Sequence, residues 1–236
     1  MNAGRNTSVS RGPVVAIDGP VASGKTSVGR EAATRLGLRF LDTGIMYRAL
    51  TWLALHCGQR VDDDEVMGRL AESCSMSVAD AERPAIIIVD GHTLGADDLT
   101  SEEIDRNVSA VAAGSAARRA LLMQQRAIAA DGGIVMVGRD IGSVVLPDAD
   151  VKLYFEASPE ERARRRLQQQ KEAGSVLEYQ QALADTNLRD RLDSQRADSP
   201  LTVPNGAIVI NTERLDFAQC VAAVISRIDA GSDAHS

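Results

Sequence analysis

Between an apolar run, Val14-Val15-Ala16-Ile17, and a stretch with Val28, Ala32 and Leu36 at four-residue steps lies the octet Gly19-Pro20-Val21-Ala22-Ser23-Gly24-Lys25-Thr26. No other segment restricts the fold as tightly. The glycines let backbone N–H groups turn inward around phosphate oxygens, Lys25 brings a compact positive charge, and Thr26 offers a hydroxyl to Mg²⁺. The flanking patterns place the loop between a short strand and a helix N-terminus, where the helix dipole favours anions. A Gly/Ser-rich turn could match the spacing by chance, but it would have no reason to sit between these two patterns. The expected ligand of Gly19 through Thr26, with Ser27 beside them, is the phosphate chain of ATP, with Thr26 on the Mg²⁺ ion.

The same order then repeats. Arg39-Phe40-Leu41-Asp42 reads as a strand ending in an acid, and Thr43-Gly44 open a helix carrying Met46, Leu50, Leu53 and Cys57. Gly58 stops that helix, and Asp62-Asp63-Asp64 cap the next, with Val66 and Leu70 on its apolar face. Met76-Ser77-Val78 and Ala85-Ile86-Ile87-Ile88-Val89, followed by the turn Asp90-Gly91, predict a small antiparallel excursion. Helices are expected over about 101–113 and 115–130, then short apolar strands at Ile134–Val137, Val151–Phe155 and Ala207–Ile210. Two helical stretches, about 158–172 and 176–190 with Gly174 between them, separate the last two strands. Phe217, Val221, Val224, Ile225 and Ile228 form the core-facing stripe of a terminal helix. Strands alternating with helices imply a doubly wound α/β fold with right-handed crossovers and ligands at the carboxyl ends of the strands.

Polar groups collect beyond those strand ends. In Asp42 to Arg48, Thr43 is placed to cap the helix while Tyr47 and Arg48 project from its first turn; a surface pair between Asp42 and Arg48 is the plainer reading. In Gly138-Arg139-Asp140-Ile141-Gly142, consecutive Arg and Asp point in different directions, so Arg139 can take a phosphate while Asp140 accepts from the exocyclic amine of cytosine. A salt-bridged turn is the alternative there. Arg162, Arg165 and Arg166 share one helical face and can converge on one anion, with Arg164 directed elsewhere; Arg189, Asp190, Arg191, Asp193 and Arg196 follow. A solvated charged face is the competing reading of that run. Phosphoryl transfer needs positioning and charge neutralisation more than covalent chemistry, which suits arginines.

The 236 residues carry 26 Lys+Arg against 33 Asp+Glu, a net charge of −7, which disfavours a nucleic-acid partner and makes any cationic site local. Cys57, Cys74 and Cys220 are too scattered for a disulfide framework or zinc cluster and read as buried apolar residues. His56, His92 and His235 fall in no ligand spacing. No run is long and apolar enough for a membrane span, so the chain is expected to be cytoplasmic, with Met1–Gly12 a disordered lead-in. No exposed heptad appears, and a monomer is the default.

The residues resemble the bacterial-type cytidylate kinases. The matching stretches are Ile17 to Thr26, Leu41-Asp42-Thr43-Gly44 with Met46 to Ala49, Gly138 to Gly142 with Val144-Val145 and Pro147-Asp148-Ala149, Ala157 to Arg166, Arg189-Asp190-Arg191 with Asp193-Ser194 and Arg196, and Ser199-Pro200-Leu201. They run in family order over about residues 14–212. The resemblance implies a P-loop NTPase fold: a core over 13–62, 114–157 and 200–230, a nucleoside-monophosphate (NMP) insertion over 63–113, a lid over 158–199 and a tail at 231–236. It implies that ATP·Mg²⁺ phosphorylates CMP or dCMP. By the same resemblance Thr43, Tyr47 and Arg48 serve the monophosphate site, and Ser109, Arg118 and Asp140 read cytosine. Arg139 and Arg196 hold the acceptor phosphate, Arg189 and Asp193 its sugar, and Arg162 and Arg166 belong to the lid over ATP; Lys25 and these phosphate-directed arginines form the catalytic set. Ile45, Ser143 and Leu146 depart from the family pattern, as does Leu99-Thr100-Ser101, where the family carries an arginine; Arg106 lies too far along to replace it. Another small-metabolite kinase of the shikimate type, or a nucleotide-dependent regulatory or assembly ATPase, would share the loop but would not need the Arg139-Asp140 pair.

Overall fold

The computed structural model describes residues 12–78, 87–172, 178–196 and 198–233. Its elements, in chain order, are β1 (Val14–Asp18), α1 (Lys25–Leu36), β2 (Arg39–Asp42), α2 (Thr43–His56), α3 (Asp64–Ser73), β3 (Met76–Val78), β4 (Ile87–Val89), β5 (His92–Leu94), α4 (Ala96–Leu99), α5 (Glu102–Ala113) and α6 (Ser115–Ala129). There follow β6 (Ile134–Gly138), a π-helical turn (Ile141–Val145), β7 (Val151–Glu156), α7 (Pro159–Glu172), α8 (Tyr179–Ser194), β8 (Ile208–Asn211) and α9 (Phe217–Asp233).

β1, β2, β6, β7 and β8 form one parallel sheet in the order β2-β6-β1-β7-β8. β6 and most of β1 are apolar because helices cover both faces, whereas the edge strand β8, expected to be buried, leaves Ile208 and Val209 39% and 48% exposed. Alternation along each strand then sorts the side chains. Ala16, Leu41, Ile134 and Met136 face a core built with Met46 and Leu50 of α2, Met67 of α3 and Leu121 of α6. Val15, Ile17, Val135, Val137, Leu153 and Phe155 face the opposite core, with Val28 and Ala32 of α1 and Val221 and Val224 of α9. Each fully buried side chain such as Leu50 or Phe155 contributes about 1.5–3 kcal/mol through burial. The sheet is thus held from both sides, and its carboxyl edge is a rigid rim.

The antiparallel excursion is present as β3-β4-β5, and Asp90 and Gly91, with φ 47 and 82, make the left-handed hairpin turn that the Asp-Gly signal announces. Three local expectations are corrected. The buried face of α3 is Met67, Gly68 and Ala71, with Val66 and Leu70 at its margins. Cys57 is exposed, since it lies just past α2 where the chain turns away at Gly58; Cys74 and Cys220 are buried as expected. Phe217 is 51% exposed because it opens α9 a turn before the stripe reaches the core at Cys220 and Val221. The strand β5, the short α4 and the π-helical turn were not foreseen. The N-terminal lead-in up to Arg11, Ala85-Ile86, Gly174, residues 176–177 and His235 lie outside the described residues. Among those described, no helix is long and apolar enough to cross a membrane.

Candidate active site

The phosphate loop starts at the end of β1 and closes at Gly24, whose φ of 91 lets it cap α1 in a left-handed conformation. Lys25 is 6% exposed, and its ammonium donates to the Pro20 carbonyl at 3.0 Å. Burial, and next the nearby Arg139 guanidinium, pull its pKa down to about 7. The Ser23 hydroxyl is buried and has no hydrogen-bond partner among the described residues. An under-compensated cation and an orphaned hydroxyl in a glycine-rich cradle fit a multiply charged phosphate chain. The Thr26 hydroxyl donates to Asp42 Oδ2 at 2.8 Å, and this pair of hard oxygen donors beside the loop fits Mg²⁺.

The facing wall is set by β2, α2 and β6. Asp42 caps α2 by accepting from the Gly44 N–H at 2.9 Å, so the cap expected of Thr43 belongs to its neighbour. Thr43 instead donates to the Val137 carbonyl at 3.1 Å, locking the start of α2 onto β6. That contact needs Gly138: a Cβ there would lie 2.6 Å from Thr43 Oγ1 and 2.7 Å from Ile141 Cδ1. Beyond Gly138 the chain turns, and Arg139 and Asp140 diverge as predicted. Arg139 Nε donates to Asp193 Oδ2 at 2.8 Å, and Asp193 also pairs with Arg196. Asp140 accepts from Arg118 Nη2 at 2.5 Å. The Arg118 guanidinium lies over the Tyr47 ring, 5.7 Å from its centroid, and also donates to the Ala112 carbonyl at 3.1 Å. Burial pushes the Tyr47 hydroxyl above its ordinary pKa.

One cleft of about 650 Å³ joins these walls. Val21, Ala22, Lys25 and Thr26 bound it from the loop, and Thr43, Tyr47, Arg48, Ser109, Arg118, Arg139, Asp140, Arg189, Asp193 and Arg196 all line it. Every residue that the resemblance assigned to the acceptor side therefore faces one space. Gly19, Pro20, Ser23 and Gly24 complete the loop, and Ser27 is an exposed residue of the first turn of α1. Arg48 does not pair with Asp42; it donates to the Leu99 carbonyl at 2.7 Å and to Asp105 at 2.6 Å. Burial first, then Arg166 and Arg139, pull the Arg189 pKa down, which marks an uncompensated positive region.

The lid arginines behave differently from the prediction of one convergent face. Arg162 is buried, ion-paired with Asp190 of α8, and donates to the Val21 carbonyl of the loop at 3.3 Å. Arg165 pairs with Glu161 at 3.0 Å and reaches the Ser23 and Thr212 oxygens. Arg164 points away to Glu161, as expected, and Arg166 has a buried Nε without a partner among the described residues. Arg162, Arg165 and Arg166 are absent from the cleft wall; carboxylates and loop carbonyls hold the first two. The helical spacing was correct, and the competing acids could not be placed from it.

Compared with known proteins, residues 15–230 match the family model described as cytidylate kinase. A cytidylate kinase of Mycobacterium leprae is 42% identical over 226 residues, covering 94% of this chain and 97% of the relative. One of Pelotomaculum thermopropionicum is 39% identical over 220 residues, covering 93% and 97%. The chain belongs to the cytidylate kinase family. It is also 43% identical over 212 residues to a bifunctional pantoate ligase/cytidylate kinase of Synechococcus sp., where the match covers 89% of this chain and 39% of that larger relative.

Seen as a cytidylate kinase fold, what sequence reasoning missed are the roles of carboxylates. The sequence marks Asp42 as the acid that ends its strand without revealing its pairing with Thr26, and Asp18 ends β1 at the same rim, a position that could have flagged it. Asp190 had no such signal, since its partner lies 28 residues away on another helix. Arg106, considered against the missing family arginine, pairs with Glu102 on the surface of α5 and does not line the cleft.

Proposed function

We propose that this cytidylate kinase family member transfers the γ-phosphoryl group of ATP to CMP or dCMP, giving ADP and the corresponding diphosphate. The observation that supports it most is the single cleft with the phosphate loop on one wall and the Arg118–Asp140 pair on the other. Two nucleotides entering from those sides meet phosphate to phosphate. Lys25 and the loop amides hold the ATP phosphates, and Thr26 with Asp42 would hold Mg²⁺, which neutralises phosphate charge when bound. Asp140 accepts from the cytosine amine, and Arg118, clamped by Tyr47 and the Ala112 carbonyl, presents its remaining donors to the ring with Ser109. Arg139 and Arg196 leave their shared Asp193 for the acceptor phosphate, and Arg189 and Asp193 take the sugar. Arg162 and Arg166 belong to a lid over 158–199, opposite an NMP-binding insertion at 63–113. No general base is needed, because the acceptor phosphate is already ionised, and charge stabilisation by arginine accounts for a factor of about 10³–10⁵ in turnover.

The test is ADP formation from ATP with CMP, dCMP, UMP, AMP or shikimate as acceptor. CMP and dCMP should be the preferred acceptors. Preferential use of shikimate or AMP, or ATP hydrolysis indifferent to every acceptor, would overturn the assignment.

A further inference from the structure

Asp18 lies outside the cleft walls and has no part in the roles just given, yet it is a fully buried carboxylate at the centre of the rim. It closes β1, the middle strand, and pairs with Gly138 of β6 on one side and Tyr154 of β7 on the other. Its backbone is therefore fixed from both directions. Its side chain reaches across to the π-helical turn: Oδ1 accepts the Ile141 N–H at 2.6 Å and Oδ2 the Gly142 N–H at 2.7 Å. These are N–H groups at the start of a helical segment, which have no partner within it. The fit leaves no slack. A Cβ at Gly142 would lie 3.2 Å from Asp18 Oδ2, 3.2 Å from Lys152 Cδ and 3.1 Å from Pro204 Cγ.

We propose that Asp18 is a positioning residue that ties the base-reading turn 139–142 to the strand leading into the phosphate loop, and so sets acceptor affinity and base choice without touching either nucleotide. This rests on the proposed transfer to CMP. The two sides of the cleft depend on Asp18 unequally. The loop follows a strand held by two neighbours, whereas Arg139 and Asp140 lie on a turn whose next two N–H groups are both held by this carboxylate. Loosening it lets Asp140 and Arg118 drift while Lys25 stays in place. The carboxylate is retained at a cost: its pKa is raised to about 6, by burial first and in smaller part by Asp140, against the opposing pull of the two N–H donors and Lys25, and the Tyr154 hydroxyl is a further titratable group that senses it.

Asp18→Asn keeps the shape but turns an amide donor toward one of the two N–H groups. A charge-assisted hydrogen bond replaced by a donor clash predicts that KM for CMP rises at least about tenfold and the preference for CMP over UMP falls by a similar factor, with KM for ATP within about twofold. Gly142→Ala presses on the same contact from the other side and should give the same split; it decides the matter if Asp18→Asn does not fold. Equal losses for both substrates, or a lower melting temperature with unchanged KM values and base preference, would make Asp18 a structural cap only and overturn the inference. A wild-type enzyme inactive on CMP would instead overturn the proposed function, so the two failures are distinguishable.

Discussion

Lys25 shows how a single residue is held ready for a ligand. Its ammonium is buried beside Arg139 and its pKa falls from 10.5 to about 7. The sign of the resulting pH dependence follows directly. The unfolded chain keeps this proton up to about pH 10, so the burial penalty is fully present below pH 7 and is relieved as the pH rises above it. Lys25→Met, with similar volume and no charge, should therefore raise the melting temperature, by about 2–4 °C for each kcal/mol relieved, and more at pH 6 than at pH 9. The same variant should lose about a hundredfold or more in turnover, as expected for a donor aimed at transferring charge. Thermal denaturation at the two pH values, read beside the kinetics, checks both; an unchanged or lower melting temperature at pH 6 would show that the lysine is not strained.

At the scale of elements, carboxylates fasten one segment to another. Asp64, in the first turn of α3, accepts from the Ala116 and Ala117 N–H groups at 3.0–3.3 Å and so caps α6, whose own N-cap is Gly114 and offers no side chain. Asp64→Ala should cost about 1–2 kcal/mol, seen as a fall of several degrees in melting temperature, and Asp64→Asn should recover part of it. An unchanged melting temperature would remove this cap from the account. Such links explain where sequence reading succeeds and where it stops. The five sheet strands and the long helices announce themselves by local period and by Gly, Asp and Pro punctuation. The short β5 and α4 have too few residues for a period, and the first two N–H groups of the π-helical turn are held by Asp18, more than 120 residues earlier. The loop, Asp42 to Arg48 and Arg139-Asp140 were legible because they follow strand ends, whereas Ser109 and Arg118, on the helices α5 and α6, were indicated only by the family resemblance. The pairings Arg118–Asp140, Arg139–Asp193 and Arg162–Asp190 were not legible, since each joins different elements.

At the scale of the whole molecule, a chain of net charge −7 brings Lys25, Arg48, Arg118, Arg139, Arg189 and Arg196 to one cleft at the carboxyl rim of a sheet packed between two cores. That rim brings a loop built for triphosphate against a turn that carries Arg139 and Asp140, and the account stands on this pair of sites acting separately on two ligands. The direct measurement is steady-state kinetics of Asp140→Ala with ATP and CMP varied in turn. Removing a base acceptor worth about 1–3 kcal/mol should raise KM for CMP by about tenfold or more and leave KM for ATP within about twofold. Equal weakening of both substrates, or an unaltered KM for CMP, would contradict it.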